Sequence, residues 1–182
     1  MEDGEAEALP PGARFGSYEV RRQVGSGGAG IVYEAVHAEL GRRVALKTLH
    51  ARVAHDATAA ERLRREARTL CKLRHSGLVE VIDLGVEDRV PFMVMEYLEG
   101  QSLAALLESG PLPVERAVDL ALAALAALSV AHAAGVVHRD IKPSNLFVTD
   151  TPAGQRLKLV DFGLCAVLDE TSSLTRTRGF VG

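Results

Sequence analysis

The chain has 182 residues, of which 47% are hydrophobic and 25% charged, and its net charge at neutral pH is −3. This length allows a buried core and one domain or a little more. Without a basic excess, nucleic acid is not expected as the main partner. Cys71 and Cys165 lie far apart in neither a metal nor a redox spacing, which favours a reduced, cytoplasmic protein over a disulfide scaffold.

The amino-terminal residues 1–14 are interpreted as a disordered acidic leader. They begin "MEDGEAEALPPG", which is rich in carboxylates and ends in a Pro-Pro-Gly turn sequence. No signal peptide is visible there.

The first part of the chain predicts short strands around one helix. Alternation and glycine-rich turns indicate strands at Tyr18–Val24, Ile31–His37 and Arg43–Leu49, as in an antiparallel meander. Apolar residues at helical spacing then predict a helix from Asp56 to about Arg74. Two more strands are expected, at Val79–Val86 and Val90–Tyr97.

Two helices are predicted next, a short one at Leu103–Glu108 and a long one within Ala117–Val137. The second stretch is about as long as a bilayer core requires. Its bulk is alanine, however, and Asp119, Ser129 and His132 interrupt it. It is therefore interpreted as a buried amphipathic helix, with Pro113 suited to the first helical position.

The stretch "VGSGGAGIV" carries glycines in a G-x-G-x-x-G spacing, at Gly25, Gly27 and Gly30. Glycines allow backbone N–H groups to approach phosphate oxygens closely, although a plain glycine-rich hairpin turn is an equal alternative from this motif alone. A Rossmann site would need a helix after the glycines and a Walker loop would need a lysine. Ile31 and Val32 stand there instead.

Two charged residues downstream could serve a phosphate. Lys47 closes "VALK" on the third predicted strand, and Glu66 borders the apolar stripe of the helix 19 residues later. A carboxylate in that place could hold the lysine over a phosphate. Taken alone, Lys47 is more often a surface lysine, and Glu66 as a partner of Arg62 is favoured unless other residues point to Lys47.

Two further motifs follow in the second half, "HRDIKPSN" and "VDFG". In the first, Asp140 and Asn145 lie five residues apart on a segment fixed by Pro143, where they could present a carboxylate to a hydroxyl and a carboxamide oxygen to a metal. In the second, Asp161 ends a short apolar run and precedes the flexible Gly163.

The four motifs in this order resemble those of eukaryotic-type protein kinases of the serine/threonine class, most closely the bacterial members, from about Tyr18 to the last residue. The resemblance implies ATP and Mg²⁺ as cofactors. Lys47 would pair with the α- and β-phosphates and with Glu66. Asn145 and Asp161 would hold the metal, and Asp140 would accept or orient the substrate hydroxyl proton.

The same resemblance extends to the adenine pocket and to the subclass. "VMEYLEG" resembles the family's hinge, with Met95 in the gatekeeper place and the backbone of Glu96 and Leu98 facing adenine. Lys142, two residues after Asp140, matches serine/threonine kinases, whose lysine supports the transferred phosphate, and Arg139 suggests a response to activation-loop phosphate. The full nucleotide-binding set implied is Val24, Gly25, Gly27, Gly30, Val32, Ala45, Lys47, Glu66, Met95, Glu96, Leu98, Leu146 and Asp161.

The resemblance implies an α+β, protein-kinase-like fold. Residues 15–96 would form an N-lobe with an antiparallel sheet and one helix. Residues 97–182 would hold the hinge and an incomplete, mainly helical C-lobe that ends in the activation segment. The chain ends in "GFVG" with no A-P-E motif, so we expect a truncation within that segment, which carries candidate phosphorylation sites at Ser172, Ser173, Thr175 and Thr177.

The expected function is ATP-dependent phosphoryl transfer to serine or threonine hydroxyls of protein substrates. Neither nucleic acid nor a membrane segment within this chain is expected. A nucleotide-binding pseudoenzyme or regulatory fragment without transfer activity is the alternative, and an interaction module that never meets ATP is a third possibility. Intact Lys47, Asp140 and Asp161 favour the enzyme.

Overall fold

The computed structural model describes residues 8–27, 30–49, 69–88, 90–152 and 154–162. These residues divide into two compact units. The first holds the described residues up to position 49 together with Val81–Tyr97, and the second holds residues 69–80 and those from Leu98 onward. The segment before Val81 therefore belongs with the second unit, although the predicted N-lobe ran without a break over 15–96.

The first unit is a six-stranded antiparallel sheet in the order β1-β2-β3-β4-β6-β5. Its strands are β1 Arg14–Phe15, β2 Tyr18–Gly27, β3 Gly30–His37, β4 Arg43–Leu49, β5 Val81–Glu87 and β6 Val90–Glu96. The three-strand meander is thus present as predicted. The predicted helix from Asp56 to about Arg74 falls mostly on residues outside the described ranges. Thr69 and Leu70 are helical as predicted, but residues 71–74 are not, so the helix ends about four residues before the predicted end.

Because side chains alternate along each strand, the sheet has two faces, and one of them is apolar. Residues opposite each other in an antiparallel pair share a face, and every second residue along a strand returns to it. Tyr33, Val44, Leu46 and Val94 are almost fully buried on the apolar face, together with Val20. Burial of this face holds the strands in one register, because a slip of one residue would turn the apolar side chains to solvent.

Part of the expected leader packs on this sheet. The Leu9 N–H donates to the hydroxyl of Tyr33 at 3.0 Å, and Gly12 N–H donates to the carbonyl of Val20 at 2.8 Å. Leu9 and Ala13 also contact the apolar cluster. The expectation of disorder through residue 14 is therefore wrong for residues 9–14, because two apolar side chains and the β1 pairing hold them against the sheet.

The second unit contains two helices and a three-stranded sheet. Helix α1 is Leu103–Glu108, capped by the Ser102 hydroxyl, which accepts from Ala105 N–H at 3.1 Å. Helix α2 is Val114–Ala133, with Pro113 as its N-cap, one position before the predicted place. The strands β7 Gly100–Ser102, β8 Leu146–Thr151 and β9 Gly154–Leu159 form a sheet in that order, and sequence analysis did not predict it.

Helix α2 is buried along one side only. Its buried residues are Ala124, Ala127 and Ala131, whereas four large apolar side chains are exposed: Val114, Val118, Leu122 and Leu125. Small side chains face the rest of the unit, since they permit close approach, and the larger ones form a stripe on the other side. Among the described residues, no helix is both long and apolar enough to cross a membrane.

Candidate active site

The second face of the first unit's sheet gathers several predicted nucleotide-binding residues. Lys47 on β4 lies opposite Val32 on β3 and Met93 on β6, and Ala45 lies opposite Met95. These side chains share a face because they occupy paired positions two residues apart. Strand register alone therefore brings Val32, Ala45, Lys47 and Met95 together, as the alternation in "VALK" indicated.

Lys47 is 2% exposed, and this is unusual because lysine is seldom fully buried unless it is paired. Lys47 is not without an interaction partner in the structure. Its predicted partner Glu66 lies outside the described residues. The interpretation of Lys47 as an ordinary surface lysine is excluded by its burial.

The glycine loop joins β2 and β3 as a hairpin, as expected for a loop between two strands. Gly25 pairs with Val32 and Gly27 with Gly30, after a register shift between Gln23 and Gly25. Gly30 has φ +145°, a backbone conformation that side chains rarely permit. Val24 is exposed, while Gly28 and Ala29 at the tip lie outside the described residues.

In the second unit, Asp140 is held by two side chains from its own loop. The Asn145 amide nitrogen Nδ2 donates to the Asp140 backbone oxygen at 2.8 Å and to its Oδ2 at 2.9 Å. The Lys142 Nζ lies 2.9 Å from the same Oδ2. Hydrogen bonding from Lys142, aided by that from Asn145, lowers the pKa of Asp140 despite the opposing effect of burial.

The turn that permits these contacts begins at Pro143, which opens a single 3₁₀ turn, Pro143–Asn145. Asn145 N–H donates to the Lys142 carbonyl at 2.9 Å, and Asn145 itself is 5% exposed. The fixed φ of proline suits the first position of such a turn. Tight backbone geometry thus places the Lys142 and Asn145 side chains beside one carboxylate oxygen of Asp140.

His138 links this loop to the strand that leads to Asp161. Its Nε2 lies 2.9 Å from the carbonyl oxygen of Val160, which can only accept, so Nε2 carries the proton. Its Nδ1 accepts from the Asp140 N–H at 3.4 Å. Burial lowers the pKa of His138, and the neutral ring satisfies both contacts.

Asp161 is placed by backbone bonds on both sides of β9. Val160 N–H donates to the Asn145 carbonyl at 3.0 Å, and Leu159 N–H donates to the Gly77 carbonyl at 2.8 Å. The following Phe162 is buried against the His138 ring, with centroids 4.6 Å apart. Asn145 and the residue before Asp161 are thereby joined directly within the second unit.

Backbone strain occurs at two of these positions. Arg139 has φ +61° and Asp161 φ +60°, in the left-handed region that few non-glycine residues adopt. Among the described residues, Asp88 is the remaining non-glycine example. Strain of this kind persists where surrounding contacts enforce it, and it is concentrated at functional sites.

The predicted site residues therefore divide between the two units. Glu96, a predicted hinge residue, pairs with Val44 at the end of β6, and Leu98 begins the second unit. Leu146 starts β8 opposite Leu159 and is partly buried. Gly163 and the candidate phosphorylation sites, like Glu66, lie outside the described residues.

Sequence analysis did not predict two features that lie beside these residues. One is the role of His138, whose contact with Val160 depends on the β8–β9 sheet that was not predicted. The other is a polar cluster of Arg22, Glu34, Arg43 and Tyr97 on the face that carries Ala45 and Lys47. No local sequence pattern marks this cluster, because a bulge in β2 sets its pairing.

Comparison with known proteins supports one family. The family model described as protein kinase domain matches residues 18–182. The chain is 40% identical over 173 residues to the serine/threonine-protein kinase PknA of Mycobacterium tuberculosis, which covers 92% of this chain and 39% of PknA. It is 39% identical over 163 residues to the serine/threonine-protein kinase pkn2 of Myxococcus xanthus, which covers 88% of this chain and 20% of pkn2. It thus spans less than half the length of these curated relatives.

Solved structures confirm the predicted kinase-like α+β fold. The crystal structure of the Mycobacterium tuberculosis PknI kinase domain superposes with a TM-score of 0.76 at 32% identity, over 86% of this chain and 64% of that one. PpkA-294 in its apo form superposes with a TM-score of 0.74 at 26% identity, over 91% of this chain and 67% of that one.

Proposed function

Because the chain belongs to the protein kinase family, in its eukaryotic-type serine/threonine class, we propose that it transfers the γ-phosphate of ATP to serine or threonine hydroxyls of protein substrates. The observation that carries the proposal is the carboxylate of Asp140, held by Asn145 and Lys142 and kept ionised by a lowered pKa. An ionised carboxylate with a fixed orientation can accept a hydroxyl proton.

In this proposal Asp140 acts mainly by orientation. A carboxylate with a lowered pKa is a weak base, so it positions the hydroxyl for attack and takes its proton as the bond to phosphorus forms. Lys142 contacts the same Oδ2 and supplies positive charge beside the transferred group. In-line transfer depends chiefly on such positioning and charge stabilisation.

Lys47 is proposed to pair with the α- and β-phosphates. It lies two residues from Ala45, on the face of the sheet that carries the other predicted nucleotide-binding residues of this unit. On the same face, Val32 and Ala45 offer apolar contacts to adenine. Glycines 25, 27 and 30 would let backbone N–H groups approach the phosphates.

The donor set also fits a magnesium ion. Carboxylate and carboxamide oxygens are ligands that Mg²⁺ accepts, and Asp161 and Asn145 provide one of each. Since Nδ2 of Asn145 donates to Asp140, its oxygen is the atom that can serve as a ligand. When bound, the ion would neutralise charge that develops on the phosphates.

A transfer assay tests the proposal. The full-length gene product is incubated with radiolabelled ATP, magnesium and a generic protein, and label on serine and threonine is measured. We expect Asp140→Asn to reduce transfer by a factor of about 100 or more. The matched control is Asp150→Asn, whose carboxylate accepts from Gln155 on the exposed side of β8, and it should leave transfer unchanged.

The alternative function makes a different prediction in the same assay. A nucleotide-binding pseudoenzyme would bind ATP and transfer nothing, with or without Asp140. Equal label with the unsubstituted protein and with Asp140→Asn would contradict the assigned role of this carboxylate. The proposal also includes a protein as the phosphate acceptor and a cytoplasmic location.

A further inference from the structure

The polar cluster of Arg22, Glu34, Arg43 and Tyr97, named here the hinge cluster, follows from strand register. Glu34 pairs with Arg22 on one side and with Ala45 on the other. Arg43 precedes Ala45 by two residues and so lies diagonally across from Glu34 on the same face. Val44 pairs with Glu96, so the register brings Arg43 opposite Tyr97 where β6 ends.

The contacts within the hinge cluster converge on one carboxylate. An Arg22 guanidinium nitrogen lies 2.7 Å from Glu34 Oε2, and an Arg43 nitrogen lies 3.9 Å from Oε1. The Tyr97 hydroxyl donates to Glu34 Oε2 at 3.4 Å and accepts from Arg22 at the same distance. The Arg43 guanidinium lies 4.3 Å from the centroid of the Tyr97 ring.

Glu34 is the centre of this arrangement. Its side chain is 15% exposed, whereas those of Arg22 and Arg43 are 63% and 46% exposed. The carboxylate is therefore the buried member, and both arginines reach it from the rim. Loss of Glu34 would leave two like charges facing Tyr97 with no carboxylate between them.

The position of Tyr97 gives the hinge cluster a consequence for nucleotide binding. Tyr97 lies between Glu96 and Leu98, whose backbone groups are proposed to face adenine. It also lies two residues beyond Met95, which pairs with Ala45, and so is roughly 7 Å farther along the strand direction. A side chain held at three points limits the backbone rotations of its immediate neighbours.

We propose that Glu34 is a positioning residue for adenine: through Arg22, Arg43 and Tyr97 it fixes the backbone that follows β6. The inference rests on the proposed ATP binding and adds a determinant of affinity on the base side of the nucleotide. Lys47, which is proposed to bind the phosphates, pairs with Met93, four residues before Tyr97. We therefore expect Glu34 to leave the contacts of Lys47 with the phosphates unchanged. Substitution should therefore weaken the binding of ATP and of adenosine by the same factor.

The experiment measures dissociation constants of magnesium-ATP and of adenosine for this chain, by calorimetry and by NMR titration. The variants are Glu34→Ala, Glu34→Gln and Tyr97→Phe. The control is Glu19→Ala, which removes the ion pair of Glu19 with Arg21 at 2.7 Å on the same strand β2. Melting temperature is recorded for each variant, so that a loss of folded protein is separated from a loss of affinity.

We expect Glu34→Ala to raise both dissociation constants by about three- to tenfold, as for the loss of a partly buried ion-pair network. Glu34→Gln should have an intermediate effect, and Tyr97→Phe about twofold or less, because the ring beneath Arg43 remains. Because adenosine is uncharged, salt acts on its binding mainly by screening the ion pairs of the hinge cluster. At 1 M salt, the affinity of the unsubstituted chain for adenosine should therefore fall towards that of Glu34→Ala.

Three results would overturn the inference, and they can be told apart. If the unsubstituted chain binds ATP and Glu34→Ala binds it as Glu19→Ala does, the positioning role is wrong and the proposed function stands. If the unsubstituted chain binds neither ATP nor adenosine, the proposed function fails and the inference fails with it. A loss of ATP affinity without a loss of adenosine affinity would also contradict the role on the base side.

Discussion

Asn145 donates from one amide nitrogen to two oxygens of Asp140, the backbone oxygen at 2.8 Å and the carboxylate Oδ2 at 2.9 Å. The backbone carbonyl of Asn145 accepts from the Val160 N–H at 3.0 Å. A single buried side chain therefore fixes the proposed base, and its backbone fixes the strand that leads to Asp161. We therefore expect the effects of replacing Asn145 and Asp140 on transfer to be coupled.

Replacing Asn145 should affect both stability and transfer. Asn145→Ala removes two hydrogen bonds from a site that is 5% exposed, so we expect a loss of about 1–3 kcal/mol in the free energy of unfolding. Transfer should fall by a factor of about 100 or more at temperatures where the variant is folded. The control Thr149→Val removes one equally buried bond, to the Glu99 carbonyl, and should lower stability alone. Urea titration and the transfer assay provide the measurements, and a similar loss of transfer in both variants would contradict the account.

The pH profile of transfer should move when Lys142 is replaced. Lys142 is the largest cause of the lowered pKa of Asp140, so Lys142→Met raises that pKa towards its ordinary value. Activity needs the ionised carboxylate, so the acid limb of kcat/KM should move to higher pH. Lys72→Met, which alters an exposed lysine that is not among the causes of the lowered pKa of Asp140, should leave the limb in place. An acid limb that is unchanged, or that moves to lower pH, would show that Asp140 is not the titrating group.

Acid should destabilise the fold through His138. Burial lowers its pKa below the ordinary value of 6.5, so the unfolded chain takes up a proton there that the folded chain resists. The stabilising contribution is complete above about pH 6.5 and is lost as pH falls towards the pKa of the folded state. His138→Gln should therefore flatten the dependence of unfolding free energy on pH between 7.5 and 5. His132→Gln, at an exposed position on α2, should keep the full slope, and equal slopes in all three proteins would refute the assignment.

The sheet face and the motif order could be predicted from the sequence, because strand alternation and short-range spacing determine both. Val32, Ala45 and Lys47 needed only a register that the apolar face imposes. The β7–β8–β9 sheet was missed because its strands are short, and β9 opens with the polar run Gly154–Arg156. The alternation of Leu157 and Leu159 was the available signal for that strand.

Long-range pairing explains what the sequence could not show. The segment 77–79 runs beside β9, where Leu78 and Leu159 form a parallel bridge, so it joins the second unit although it lies between strands of the first. The hinge cluster depends on a bulge between Val20 and Arg22. Neither relation leaves a periodic pattern along the chain.

Gly100 should be intolerant of a side chain. It has φ +143°, and a Cβ there would overlap the carbonyl oxygen of Val148 and lie 2.9 Å from Thr149 Cα. We expect Gly100→Ala to lower the free energy of unfolding by roughly 3 kcal/mol or more. Gly110→Ala is the matched control, since its φ is +120° and nothing lies within 4 Å, so only backbone strain of about 1–2 kcal/mol is expected. Equal losses in urea titrations of the two variants would show that the close approach of β7 to β8 is not limiting.

The most direct test of the nucleotide site is the stabilisation of this chain by magnesium-ATP, compared between the unsubstituted chain, Lys47→Met and Asp161→Ala. At a hundredfold excess over the dissociation constant, ligand binding should stabilise the fold by about 2.7 kcal/mol, or several degrees in melting temperature. The account predicts that this shift is present in the unsubstituted chain, smaller in Lys47→Met and absent in Asp161→Ala. An equal shift in all three proteins would contradict it, because neither the buried lysine nor the carboxylate after β9 would then take part in binding.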